Sequence, residues 1–139
     1  MARYAAKIEP DGETFMVSFP DFPGVYSQGD DIEDALRHGR DALESALYFL
    51  ARDGKAFPVA SKPRRRQFLI DVTPSFAVKL LLIREVAAQR ISQAGLARSL
   101  GVTPQEVTRL LNPRYNTKID ALASALSVLG KRLEISVAA

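Results

Sequence analysis

The chain has 139 residues, of which 47% are hydrophobic and 25% charged, a balance typical of soluble globular proteins. No apolar run approaches the roughly 20 residues of a membrane-spanning helix, and the first residues lack the apolar core of a secretion signal. The absence of cysteine excludes disulfides and thiolate metal sites. Together these features predict a cytoplasmic protein.

The formal net charge of +3 conceals an asymmetry along the chain. Residues 1–59 carry a net charge of −5, residues 60–73 of +3 and residues 74–139 of +5. An acidic half joined to a basic half predicts two functions, of which only the second suits a polyanionic partner.

The first half begins with patterns typical of a sheet. Alternating apolar and polar residues predict strands over residues 4–9 and 14–19, joined by a turn at Asp11-Gly12. Two further strands are predicted over residues 25–28 and 67–72.

A helix is predicted between the third and fourth strands. Asp30 or Asp31 can cap it, with Glu33 and Asp34 near its positive end. One face carries apolar or small residues at helical spacing: Ile32, Leu36, Gly39, Leu43, Leu47 and Leu50. Gly39 lies within that face, which predicts a close approach to a strand.

From residue 73 onward the pattern becomes helical. A first helix carries Phe76, Leu80, Ile83 and Ala87 on one face. Three more are predicted: residues 93–100 capped by Ser92, a helix capped by Thr103 with Pro104 at its first position, and residues 118–129. Residues 131–137 alternate again, which predicts an edge or intersubunit strand. The fold class is therefore α+β: a βββαβ unit over residues 1–72, then an all-α unit over 73–139 with a short C-terminal strand.

The spacing within residues 93–112 is typical of a helix-turn-helix. Ala97 supplies a small residue where two steeply crossing helices touch, and Gly101 supplies the turn. Apolar residues suited to locking the two helices together follow at the expected offsets: Leu96, Leu100, Val102, Val107 and Leu110. A plain helical hairpin without a DNA role is the alternative.

In a helix-turn-helix, the second helix of the pair enters the major groove and presents residues to base edges. The candidates for base reading are Thr103, Gln105, Glu106, Thr108 and Arg109. The candidates for phosphate contacts are Gln93, Arg114, Asn116 and Lys118, which could equally be solvated loop residues. Because one module binds DNA weakly, a homodimer or higher homo-oligomer on double-stranded DNA is expected.

No catalytic set is predicted. Glu9, Glu44 and Asp71 could be remnants of a two-metal carboxylate site, but solvated acids and helix caps explain the acidic residues more simply. The single histidine, His38, is expected in a surface or packing role. We therefore expect no enzymatic activity, no metal and no cofactor.

Two segments of the chain resemble known families. The hairpin, the run Phe19-Pro20-Asp21-Phe22-Pro23-Gly24-Val25 and the helix-opening run from Gly29 to Leu36 resemble the HicB antitoxin family. Residues 92–112 are similar to the Cro/phage-repressor class of helix-turn-helix domains. The resemblance covers nearly the whole chain and implies a partial ribonuclease-H-like first domain (residues 1–72) that binds a HicA-type mRNA-cleaving toxin. It also implies that residues 73–139 repress the toxin–antitoxin operon. Dimerisation through these residues is expected from the weak DNA binding of a single module.

An acidic surface suits inhibition of a ribonuclease, because such a toxin presents a basic cleft to RNA. The residues expected to contact the toxin are Asp21, Phe22, Asp30, Asp31 and Glu33. The alternative is a stand-alone transcription regulator whose first half senses a small ligand or only oligomerises.

Overall fold

The computed structural model describes residues 3–139. Four strands, β1 (Arg3–Asp11), β2 (Thr14–Ser18), β3 (Tyr26–Gly29) and β4 (Phe68–Asp71), form one antiparallel sheet in the order β3-β2-β1-β4. The four predicted strands are confirmed. Gly12 takes a positive φ of 62° in the β1–β2 turn, which explains a glycine at this place.

Helix α1 (Ile32–Arg52) crosses one face of the sheet. The Asp31 side chain caps it by accepting a hydrogen bond from the Asp34 N–H. A Cβ at Gly39 would lie 3.1 Å from side-chain atoms of both Ile70 and Val17, so the predicted close approach is confirmed. The prediction that Ile32 lies on the buried face is wrong, since its side chain is 43% exposed. Ala35 is the residue of α1 that packs against Gly29 of β3.

Four shorter helices follow: α2 (Pro74–Ala88), α3 (Gln93–Leu100), α4 (Pro104–Leu110) and α5 (Ile119–Val128). The four predicted helices are confirmed, with α5 one residue shorter at each end. None of the helices in the described part of the chain is long and apolar enough to span a membrane.

The buried residues form two separate clusters. The first cluster joins the sheet to α1, with Tyr4, Val17 and Leu43 at its centre. The second cluster joins the later helices through Leu96, Val107, Leu122 and other apolar residues. The chain therefore has two hydrophobic cores rather than one.

Helix α2 belongs to both cores. Phe76 and Leu80 pack in the first cluster, whereas Leu82 and Val86 pack in the second. The two cores therefore meet at α2, and the boundary after residue 72 stays a prediction.

The predicted strand over residues 131–137 is wrong for the single chain, where this tail has no regular secondary structure. Leu133 packs partly against the second core, but Ile135 and Val137 are 73% and 94% exposed. A strand needs a neighbouring strand to satisfy its N–H and C=O groups, and the tail pairs with no strand of the described sheet. An intersubunit strand stays a prediction.

Candidate functional site

Helices α3 and α4 are joined by a tight turn over residues 101–103. Gly101 ends α3 in the left-handed region (φ 68°), and the Val102 N–H donates back to the Ala97 carbonyl over 3.0 Å. Thr103 then caps α4 by accepting a hydrogen bond from the Glu106 N–H at 3.2 Å. Leu96 and Val107 are fully buried and hold the two helices against the second core.

All the predicted base-reading residues are exposed on or beside α4. Thr103 serves as the cap, and the Thr108 hydroxyl donates to the Pro104 carbonyl over 3.1 Å. Among the described residues, the side chains of Gln105, Glu106 and Arg109 form no hydrogen bond or ion pair. These three side chains are therefore available to an external partner.

The predicted phosphate-contacting residues divide between two surfaces. Gln93 and Arg114 line a cavity of about 460 Å³ between α1 and α4, where Tyr48, Phe49 and Phe76 form an aromatic wall. The other two border a shallow groove beside Arg109 on the opposite flank of α4: Asn116 and Lys118. The structure thus does not bring the four residues into one cluster.

Arg114 also connects the two halves of the chain. Its guanidinium lies 3.3 Å from the Glu44 carboxylate of α1 and 5.3 Å from the centre of the Phe76 ring. The Glu44 side chain is only 6% exposed, and burial raises the pKa of its carboxyl group, with Arg114 acting in the opposite direction. Arg114 therefore has an internal partner that the sequence pattern did not predict.

A second residue that the sequence pattern did not predict is Lys79, a lysine of α2 that is 2% exposed. Its ammonium donates to the carbonyls of Arg109 and Asn112 over 2.7 and 3.1 Å. Burial lowers the pKa of this amine. The one available signal was a lysine within the otherwise apolar run of residues 76–83.

The residues expected to contact a toxin have different environments. The prediction that Phe22 contacts a toxin is wrong, because this side chain is only 6% exposed. It packs edge-on against Tyr4, with 4.9 Å between ring centres. The Asp21 carboxylate accepts hydrogen bonds from the backbone and hydroxyl of Ser61, which hold the 54–67 connection in place. The remaining candidates lie exposed at the start of α1: Asp30, Asp31 and Glu33.

The three acids considered as a remnant metal site have separate basic partners. Glu9 pairs with Lys7 at 2.8 Å and Asp71 with Arg3 at 2.6 Å, whereas Glu44 pairs with Arg114. Within residues 3–139, no group of three or more His, Asp or Glu side chains is placed to hold a metal ion. The exposed His38 ring contacts the Gln28 carbonyl through Nδ1 at 2.8 Å.

Comparison with known proteins gives a consistent result. The family model of the HicB-like antitoxin of bacterial toxin–antitoxin systems matches residues 3–81. Antitoxin HicB 2 of Photorhabdus laumondii is 40% identical over 133 residues, covering 96% of this chain and 94% of that protein. Antitoxin HicB of Escherichia coli K12 is 37% identical over 134 residues, covering 96% and 97%.

A crystal structure of the Burkholderia pseudomallei antitoxin HicB aligns with 71% of this chain and 96% of its own, at 23% identity and a TM-score of 0.45. That score is too low to establish a shared fold. The family match and the curated relatives are sufficient by themselves: the chain belongs to the HicB-like antitoxin family.

Proposed function

We propose that this protein neutralises a HicA-type mRNA-cleaving toxin through residues 1–72 and represses its own operon through a helix-turn-helix formed by α3 and α4. The antitoxin part is supported by the family match and by the acidic first half. The DNA-binding part is carried by one observation. Helix α4, within the basic second half, presents the side chains of Gln105 and Arg109 to solvent without internal hydrogen bonds.

The proposed toxin-binding surface is the exposed acidic start of α1, with Asp30, Asp31 and Glu33. An acidic surface attracts a basic ribonuclease cleft and excludes RNA from it. In this proposal the first half has a partial ribonuclease-H-like fold without catalysis, and the protein acts in the cytoplasm as a homodimer or higher oligomer.

Neutralisation is tested by co-expression with the small basic protein encoded by a neighbouring reading frame. Rescue of growth and co-purification of the two products are the expected results. If the chain neither binds nor neutralises that product, the antitoxin proposal is wrong.

Operator binding is tested with Arg109→Ala. Loss of a bidentate contact to guanine should weaken operator binding roughly tenfold or more and random-DNA binding much less. Arg52→Ala, which removes the same charge from an exposed position of α1, is the matched control. Equal losses on both DNAs would assign Arg109 to the phosphate contacts.

We further propose that toxin occupancy of the first half alters operator affinity. Two features support this coupling: α2 packs in both cores, and Glu44 of α1 holds Arg114 beyond α4. Operator affinity measured with and without bound toxin is expected to differ, and Glu44→Gln should reduce the difference.

A second candidate function is a stand-alone regulator that senses a small ligand. The aromatic-walled cavity between α1 and α4 favours it, because such a cavity joins both halves. Full operator regulation in a strain that lacks the neighbouring gene would favour this candidate over the antitoxin.

A further inference from the structure

The end of α4 is held by a buried amine. Lys79 projects from α2 and is 2% exposed, yet its ammonium reaches two backbone carbonyls, those of Arg109 and Asn112. A buried ammonium is costly unless its donors find acceptors. Lys79 therefore forms a specific hydrogen-bonded contact between α2 and the end of α4.

The two carbonyls lie at the C-terminal end of α4 and in the turn that follows it. Helix α4 has only seven residues, and the last carbonyls of any helix lack partners within it. The Arg109 carbonyl also accepts from the Asn112 N–H at 3.2 Å, and the Asn112 carbonyl accepts from the Tyr115 N–H at 3.1 Å. Lys79 thus fixes the segment from Arg109 to Tyr115 at the negative end of α4.

The Tyr115 ring lies beside both the Lys79 ammonium and the Arg109 guanidinium. Its ring centre lies 5.7 Å from the Lys79 ammonium and 5.5 Å from the Arg109 guanidinium, within the range of cation–π attraction. Arg109 has no side-chain hydrogen bond or ion pair among the described residues. The Tyr115 ring is therefore the cation–π partner of this guanidinium among the described residues.

We propose that Tyr115 and Lys79 are positioning residues for sequence recognition: Lys79 fixes the end of α4, and Tyr115 holds Arg109 ready to read a guanine. An arginine already restricted loses less conformational entropy when it forms the bidentate guanine contact. This inference rests on the proposed operator binding. It adds that discrimination between DNA sequences depends on two residues that contact no base.

A purely structural role predicts a different pattern. If Tyr115 only stabilised the fold, its loss would weaken operator and random DNA alike, and its effect would not depend on Arg109. A positioning role requires that the effect of Tyr115 disappear once Arg109 is removed, because coupled residues are not additive.

The experiment measures dissociation constants for an operator duplex and a random duplex at one salt concentration, with the full-length protein. Tyr115→Leu is expected to weaken operator binding roughly fivefold and random-DNA binding by less than about twofold. Tyr115→Phe, which keeps the ring face, is the matched control and should bind both duplexes like the wild type. On the Arg109→Ala background, Tyr115→Leu should have no further effect on operator binding.

Lys79→Met should lower the operator preference at least as much as Tyr115→Leu and lower the melting temperature as well. If it does not fold, Lys79→Gln, which keeps one amide donor, is measured against the same expectation. A folded Lys79 variant with wild-type preference overturns the role of Lys79.

The role of Tyr115 is overturned if Tyr115→Leu leaves the preference unchanged, or if it weakens operator binding equally with and without Arg109. A wild-type chain with no preference for the operator overturns the proposed operator binding together with this inference. A wild-type preference that both variants retain overturns the inference alone.

Discussion

The two halves of the molecule are built in different ways. The first half packs a helix of 21 residues on a four-stranded sheet, whereas the second assembles helices of 7 to 15 residues. Helices as short as α3 and α4 are not stable alone and depend on the neighbours against which they pack. The proposed DNA-reading segment is therefore the part of the chain most dependent on contacts from elsewhere.

The halves also differ in how they use charge. In the first half, acids such as Asp21, Asp31 and Asp34 cap a helix or hold a loop. In the second half, the side chain of Arg109 forms no hydrogen bond or ion pair with the described residues. These three acids of the first half therefore support the structure, whereas the Arg109 charge beside α4 remains available for binding.

The largest loss of stability should come from replacing either of two leucines of α2, the helix that packs in both cores. Leu80 and Leu82 are both fully buried, but Leu80 lies in the first core and Leu82 in the second. Each change to Ala should reduce the free energy of unfolding by about 2–5 kcal/mol, measured by urea unfolding. Leu80→Ala should impair the proposed toxin binding first, and Leu82→Ala the proposed operator binding first. Equal damage to both activities by both variants would show that the halves behave as one unit.

Gly29→Ala should disrupt only the first half. A Cβ at Gly29 would overlap the backbone of Ala35, which cannot move without shifting the start of α1. We expect a loss of about 3 kcal/mol in unfolding free energy. Ser27→Ala on the same strand is the control and should change stability by less than about 0.5 kcal/mol. Unchanged stability of the Gly29 variant would contradict the close β3–α1 contact.

A side-chain cap distinguishes the start of α3 from the start of α2. The Ser92 hydroxyl accepts a hydrogen bond from the Gly95 N–H at 3.0 Å, whereas the Thr73 side chain forms no such bond. Ser92→Ala should therefore cost about 1 kcal/mol of unfolding free energy, and Thr73→Ala close to nothing. Thermal unfolding of both variants makes the comparison, and a larger loss at Thr73 would contradict it.

The smallest effect concerns pH and the Glu44–Arg114 contact. Burial raises the pKa of Glu44 above its ordinary value of 4.5, so the folded state holds this proton more tightly than the unfolded state. The stability that this proton contributes is present below pH 4.5 and is lost as the pH rises through the raised pKa. Relative to Glu44→Gln, the wild type should therefore lose stability from acidic to neutral pH.

Urea unfolding across this pH range measures the difference, with Glu13→Gln at an exposed turn position as the control for losing one carboxylate. A wild-type advantage that grows with pH would show instead that attraction to Arg114 outweighs burial.

Local patterns in the sequence predicted the strands and helices well, because alternation and helical spacing report burial on one face. They failed where a residue's environment is set by distant parts of the chain. Phe22 lies between two prolines, as an exposed loop residue would, but Tyr4 of β1 covers it. The alternation of residues 131–137 indicates two faces without supplying a partner strand.

The site was predicted only in part for the same reason. Exposure of the candidates on α4 follows from helical spacing, and it is confirmed. The contacts of Arg114 with Glu44 and of Lys79 with Arg109 join residues 70 and 30 positions apart. No local pattern can predict such pairs.

The shared helix α2 limits how this architecture can be recombined. A chimera joined after residue 72 would take α2 from the second parent, and its Phe76 and Leu80 equivalents would have to fit the first parent's core. A junction after α2 reverses the problem, because Leu82 and Val86 must then fit a foreign second core. An exchange of the two halves between relatives should succeed only when one face of α2 is redesigned for each parent.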